Sequence, residues 1–169
     1  PETGGTLDDG GWGAIPIGFN FNYFGNNYST VNVGTNGMMQ FGAFNANTQF
    51  VYPHGVGQYG FASGLPDTGS ARNIIAPMGC DLYFVSSGTL RYWTDGVSPT
   101  RVFVVEYLNV PGYTTNGLQT VQAILHESTG IVDVQITGAT STAGKTVGLQ
   151  DLTGTVGATV HNAYTPSIG

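Results

Sequence analysis

Apolar and polar residues alternate through most of this chain, and the alternation has a period of two. Ile15, Ile17, Phe19 and Phe21 share one face of segment 14–21, and Pro16 falls on the other. That spacing belongs to a strand with one buried face. Pro16 cannot donate to a ladder, which predicts an edge position. Segment 28–34 sets Tyr28 beside Val31 and Val33, and Asn36-Gly37 has the composition of a type I′ turn leading into Met38 to Phe41. Further strands are predicted at 73–76, 82–84, 89–94, 101–110, 118–127, 130–137, 146–150 and 156–160, punctuated by Ser87-Gly88, Asp95-Gly96, Asn116-Gly117, Thr129-Gly130 and Ala143-Gly144. Phe103, Val105 and Tyr107 alternate with Val102, Val104, Glu106 and Leu108. Both faces of that strand are mostly apolar, so it should be central and covered on each side. No segment repeats its apolar residues at a helical spacing; even 119–127 alternates.

Ten or more short strands with little or no helix predict an all-β, two-sheet antiparallel sandwich, jelly-roll-like or Ig-like. A chain of 169 residues suits one domain. Residues 1–6 read as linker, 7–165 as the sandwich and 166–169 as a tail. Within it, 42–70 is a long irregular loop, the kind that is either functional or packed over the core.

Composition changes this picture in one respect. Hydrophobic residues make up 40% of the chain but charged ones only 8%, against about 25% in ordinary soluble proteins. The polar surface must come from hydroxyls, amides and glycine. The four basic residues, Arg72, Arg91, Arg101 and Lys145, are scattered through a chain of net charge −6. This excludes nucleic acid and anionic membrane surfaces as partners. No apolar run approaches the ~18 residues of a membrane span. The opening Pro1-Glu2-Thr3-Gly4-Gly5 reads as part of a longer chain, with neighbouring domains. Cys80, the single cysteine, is expected as a small buried hydrophobe. Lys145, in Ala-Gly-Lys-Thr, is expected as an exposed turn lysine.

The parts for catalysis are sparse, and the chain is expected not to be an enzyme. His54, His126 and His161 lack zinc-site spacing, and there is no Gly-x-Ser-x-Gly elbow. Glu106, Glu127 and Asp133 could be brought together in space, but a carboxylate such as Glu106 in a central strand is expected to pair with Arg91 or Arg101. No cofactor is required. Calcium is the ion that the sequence suits, through Asp8 and Asp9 in a flexible lead-in and Asp81 or Asp95 elsewhere. Solvated turn residues are the plainer account of Asp8 and Asp9. Sugar rings stack on exposed aromatics and are oriented by amides. Tyr52, Tyr59 and Asn47 in the irregular loop, with Trp12, Trp93 and Tyr113 near turns, are the candidates for a glycan site. The alternative is that these aromatics cap the core.

The order of motifs carries a resemblance. Asp8-Asp9-Gly10, the run from Ile15 to Gly25, Thr35-Asn36-Gly37, Phe41-Gly42 and Asn73-Ile74-Ile75-Ala76-Pro77 are followed by Leu90-Arg91-Tyr92-Trp93, Val102 to Asn109, Gln122 to Leu125, Gly130-Ile131 and Thr146 to Gln150. This series resembles a β-sandwich module repeated in large secreted and cell-surface proteins of bacteria, Bacteroidetes above all. It is similar in outline to the nidogen-type and plexin-domain-containing extracellular modules of animals. The bacterial modules carry an aromatic and acidic cluster after the Ala-Pro pair; here Met78-Gly79-Cys80-Asp81-Leu82 stands there, and Asp81 alone keeps the acidic character. The resemblance implies extracellular or cell-surface display, in adhesion or binding of a glycan or other ligand. The alternative role is a spacer or filament subunit that self-associates through exposed strand edges.

Overall fold

In the computed structural model, which describes residues 4–43, 64–69, 71–113, 117–140 and 145–163, the alternation resolves into two antiparallel sheets. Strands β1 (Gly4–Gly5), β2 (Gly10–Tyr23), β3 (Asn26–Gly34), β4 (Met39–Gln40), β5 (Ile74–Gly79), β10 (Lys145–Gln150) and β11 (Gly157–Ala163) follow one another in a seven-stranded sheet. Strands β6 (Thr89–Asp95), β7 (Val102–Pro111), β8 (Leu118–His126) and β9 (Val132–Ala139) form a four-stranded meander. No helix occurs among the described residues, so none is long and apolar enough to cross a membrane. The chain is a two-sheet, all-β sandwich. Gly4 and Gly5, expected in a linker, pair with Gly11 and Gly10 as a short outer strand.

The core lies between the two inner faces. Ile15, Ile17, Phe19 and Phe21 of β2 are buried, whereas Pro16, Gly18, Asn20 and Asn22 are exposed. They belong to one cluster with Phe103, Val105 and Tyr107 of β7 and Val121, Ala123 and Leu125 of β8. Each large side chain so buried contributes roughly 1.5–3 kcal/mol. The Tyr107 hydroxyl crosses the gap to donate to Gly34 O at 2.8 Å. A smaller cluster of Met38, Leu65, Ala71, Ile74 and Ala76 covers the other face of β5, so β5 is buried on both sides. Leu65 comes from the end of the irregular loop; residues 44–63 of that loop lie outside the described residues.

β7 is central in its sheet, as its two apolar faces predict. The expected cover on its second face is not another layer among the described residues: the outward Val104 and Glu106 are shielded by flanking side chains. Trp93 and Ile124 stand opposite Val104, and Arg91 and Gln122 stand opposite Glu106. Arg91 Nε donates to Glu106, as expected of a carboxylate in this position, and Gln122 Nε2 donates from the other side at 2.7 Å. Burial pushes the Glu106 carboxyl up, but these two donors and the Arg91 charge together hold it below its ordinary range.

Three local expectations are corrected. Asn36-Gly37 is not a type I′ turn: Gly37 alone has positive φ, and residues 35–38 form a wider connection closed by Gly34 N to Met38 O. The two-residue turn is instead Phe24-Gly25, between the paired Tyr23 and Asn26, with φ of 46° and 82°. Segment 82–84 makes a single bridge, Leu82 to Gly112, because the chain turns away at Phe84. Lys145 is only 1% exposed. It opens β10, where the next residue pairs with Gly79, and its amine lies near the Cys80 thiol. Cys80 itself is fully buried, and burial pushes its thiol up to about 12.

Two glycines separate backbone strain from crowding. At Gly25 (φ +82°) a Cβ would meet nothing within 4 Å; at Gly37 (φ +71°) it would lie 2.0 Å from Met78 O. Gly25→Ala should therefore cost about 1 kcal/mol and Gly37→Ala about 3 kcal/mol or more, both read from urea unfolding curves. Acid should also weaken the fold in a defined window. The Arg101 hydrogen bonds hold Glu127 near about 2, and those of Thr153 with the 153–156 backbone hold Asp151 near about 2. Carboxyls depressed in the folded state contribute stability above the unfolded value of roughly 4 and lose it as pH falls toward 2. The melting temperature should fall between about pH 4 and pH 2, and less steeply in Glu127→Gln.

Candidate functional site

Two sheets that share no strand leave the sandwich open along its sides. Among the described residues β1 pairs with β2 only at Gly10 and Gly11, and β6 stands at the edge of its sheet. Two side chains stitch these edges together: Thr94 Oγ1 donates to Ile17 O at 2.7 Å, and Arg101 Nη1 donates to Gly18 O at 2.7 Å. Before Ile17 the stitching ends. There the β2–β3 register shifts between Trp12 and Ile15, Ala14 takes φ 54°, and its N–H donates to Asn32 Oδ1 at 2.9 Å. A cleft of about 430 Å³ opens at this bulge. Trp12, Ile15 and Pro16 line it from β2, Leu90 and Tyr92 from β6, and Val33 and Val105 from the strands behind. Its volume falls in the range of small-molecule sites. With Trp12 from one sheet and Tyr92, 51% exposed, from the other, it can take a ring that has apolar faces.

The outer face of the four-stranded sheet is a second surface. Trp93 is 37% exposed there, with the Arg91 guanidinium 5.9 Å from its ring centre. Across the sheet run the row Arg91, Glu106, Gln122, Gln135 and the row Trp93, Val104, Ile124, Asp133. The three carboxylates that sequence reading set aside as conceivable catalytic partners are each engaged. Glu106 is bound by Arg91, Glu127 by Arg101 (Nε to Oε2, 2.8 Å), and Asp133 by His126 Nε2 at 2.8 Å.

The third place is acidic. Asp81 is distant in sequence from the adjacent Asp8 and Asp9, yet each of the three offers a carboxylate oxygen within 4.8 Å of the others. The lead-in is shaped by hydroxyls: Thr6 Oγ1 accepts the N–H groups of Asp8 and Asp9, and Thr35 Oγ1 donates to Asp8 O at 2.7 Å. Asn36 ties it to the Asp81 segment. Its Nδ2 donates to Asp9 Oδ1 at 2.8 Å, and its Oδ1 accepts the Leu82 N–H at 2.9 Å. Asp81 is 3% exposed. Burial, then the charges of Asp9 and Asp8, push its carboxyl up to about 7; burial and then Asp9 raise Asp8 as well.

Sequence reading thus named members of all three places. Trp12 is in the cleft, Trp93 on the outer face, and Asp8, Asp9 and Asp81 in the acidic group. Tyr113 is near the last of these: its N–H donates to Asp81 O and its ring meets Tyr83 edge-on at 5.3 Å. Asp95, the other acidic candidate, sits apart at the end of β6, capping Gly96 N. Tyr52, Tyr59 and Asn47 lie outside the described residues. Sequence reading missed Tyr92, although it lies in the predicted strand 89–94 beside Trp93, and it gave no site role to Thr35 or to Asn36, which it took as a turn former.

The family model described as NIDO related matches residues 2–168. No curated protein matches the chain, and no solved structure does.

The two tryptophans should respond differently to truncation. Trp12 packs on the core cluster, so Trp12→Ala should cost about 2–3 kcal/mol. Trp93 lies on an open sheet face, and Trp93→Ala should cost about 1 kcal/mol or less. Chemical unfolding of the two variants measures both.

Proposed function

Since the chain belongs to the NIDO-related family, we propose that it is a non-catalytic extracellular module that binds a carbohydrate in the cleft between β2 and β6. Family membership suggests an extracellular-type module; display on a bacterial surface, in adhesion, extends that reading along the lines of the sequence resemblance. The cleft is the observation that carries the proposal. Trp12 and Tyr92 reach it from different sheets over a floor of Ile15, Val33 and Val105. Aromatic walls suit the apolar faces of a sugar ring, and the edge strand β6 brings backbone groups near its mouth for the hydroxyls. The partners that engage Glu106, Glu127 and Asp133 favour a structural role for these carboxylates over general acid–base work.

A second reading has its own support on the other side of the sandwich. There Val132, Val134 and Ile136 of β9 face Val147, Leu149 and Val160 of the large sheet, and Val160 on the edge strand β11 is 83% exposed. An apolar edge of this kind suits a spacer or filament subunit assembling by strand addition.

Screening the purified domain on a glycan array, followed by calorimetry with the best ligand, separates the two. The carbohydrate reading expects a stable monomer that binds, with Tyr92→Ala weakening binding by roughly tenfold or more and leaving the melting temperature nearly unchanged. A monomer that binds no glycan, or undiminished binding by Tyr92→Ala, would refute the cleft assignment. Ligand-independent polymers in light scattering would favour the filament.

A further inference from the structure

The acidic group points to a function independent of the cleft. We infer that Asp8, Asp9 and Asp81 form a calcium site that joins the segment entering β2 to the segment leaving β5. Three carboxylates converge within 4.8 Å; Lys145 lies beside the Cys80 thiol, and the three arginines are held elsewhere. Arg91 is bound to Glu106, Arg101 to Glu127, and Arg72 donates to Thr68 O.

The second observation is Asp81 itself. It is 3% exposed, it reaches the group from a different part of the chain, and among the described residues its carboxylate accepts no hydrogen bond. A buried carboxylate is ordinarily paired or hydrogen-bonded, because its desolvation is otherwise uncompensated. Here its nearest charged neighbours are two more carboxylates, which repel it. A cation coordinated by all three adds attractions that outweigh the mutual repulsion of the carboxylates.

The donor set selects the kind of cation. All three side chains offer oxygen, with neither imidazole nor thiolate among them, which is the chemistry of a hard divalent ion. Asp8 and Asp9 are only partly buried, so water reaches the open side and completes the coordination. Calcium tolerates such a mixed shell, whereas magnesium demands a stricter octahedron. The ion would fasten two stretches that Asn36 already bridges through Asp9 and Leu82.

Calorimetry and thermal unfolding test this on the whole domain after dialysis against a chelator. Wild-type protein should show saturable heat with CaCl₂, weaker heat with MgCl₂, and a melting temperature raised by roughly 4 °C or more at saturating calcium. Asp81→Asn should lose both the heat and the shift. In chelator its melting temperature should equal or exceed that of wild type, because one of three repelling charges is gone. If that variant does not fold, Asp8→Asn, altered on the partly exposed lead-in, should cut calcium affinity at least tenfold. Absence of heat and shift in the wild type overturns the site, as does an undiminished shift in the substituted protein. Equal affinity for magnesium overturns the assignment to calcium.

Discussion

Because no strand among the described residues passes from one sheet to the other, the alignment of the two layers depends on groups that reach across the gap. Apolar contact between inner faces drives the layers together but does not fix their register. The fixing is done by a few polar atoms: the Tyr107 hydroxyl on Gly34 O, Thr94 on Ile17 O and Arg101 on Gly18 O. Sliding the sheets by one residue would orphan a buried hydroxyl, at a cost of about 1–3 kcal/mol, and would turn the β2 side chains against the pleat of β7. The side cleft is the other face of this arrangement. It lies where the stitching stops and the bulge at Ala14 lifts β2 away.

The same economy governs the polar interior. With so few charges available, amides carry bonds that ion pairs carry in other domains. Gln150 accepts from Asp67 N and donates to Ala71 O, and Asn73 donates to Phe41 O and the Tyr28 hydroxyl. These bonds anchor the ends of the irregular loop to the large sheet. Gln119 is an exception. It is wholly buried, and neither atom of its carboxamide finds a partner among the described residues. The structure offers no physical account of it.

The strands were legible because each carries its own evidence. Ile15, Ile17, Phe19 and Phe21 declare a buried face without reference to any other part of the chain, and the apolar character of both faces of 102–108 placed β7 in the middle. What escaped was non-local. Lys145 read as a surface residue because its neighbours are those of a turn; only the pairing of β10 with β5 carries it inward. The turn at Phe24-Gly25 was hidden because a bulky aromatic seldom takes positive φ, and the tight β2–β3 hairpin imposes it. Asp8, Asp9 and Asp81 could be named as separate candidates, but their convergence arises from Thr35 and Asn36, whose bonds span the chain.

The burial of Lys145 has an outward consequence. It is the only lysine in the sequence, so the folded domain presents no lysine amine to reducing sugars, acylating reagents or amine-directed cross-linking enzymes. Digestive proteases that cut after basic side chains fare little better. Arg91 lies within a strand and Arg101 is clamped between Glu127 and Gly18 O, which leaves Arg72, outside any strand, as the exposed point of attack. A surface almost without cationic side chains gives such a domain chemical durability in fluids rich in enzymes and reactive carbohydrates.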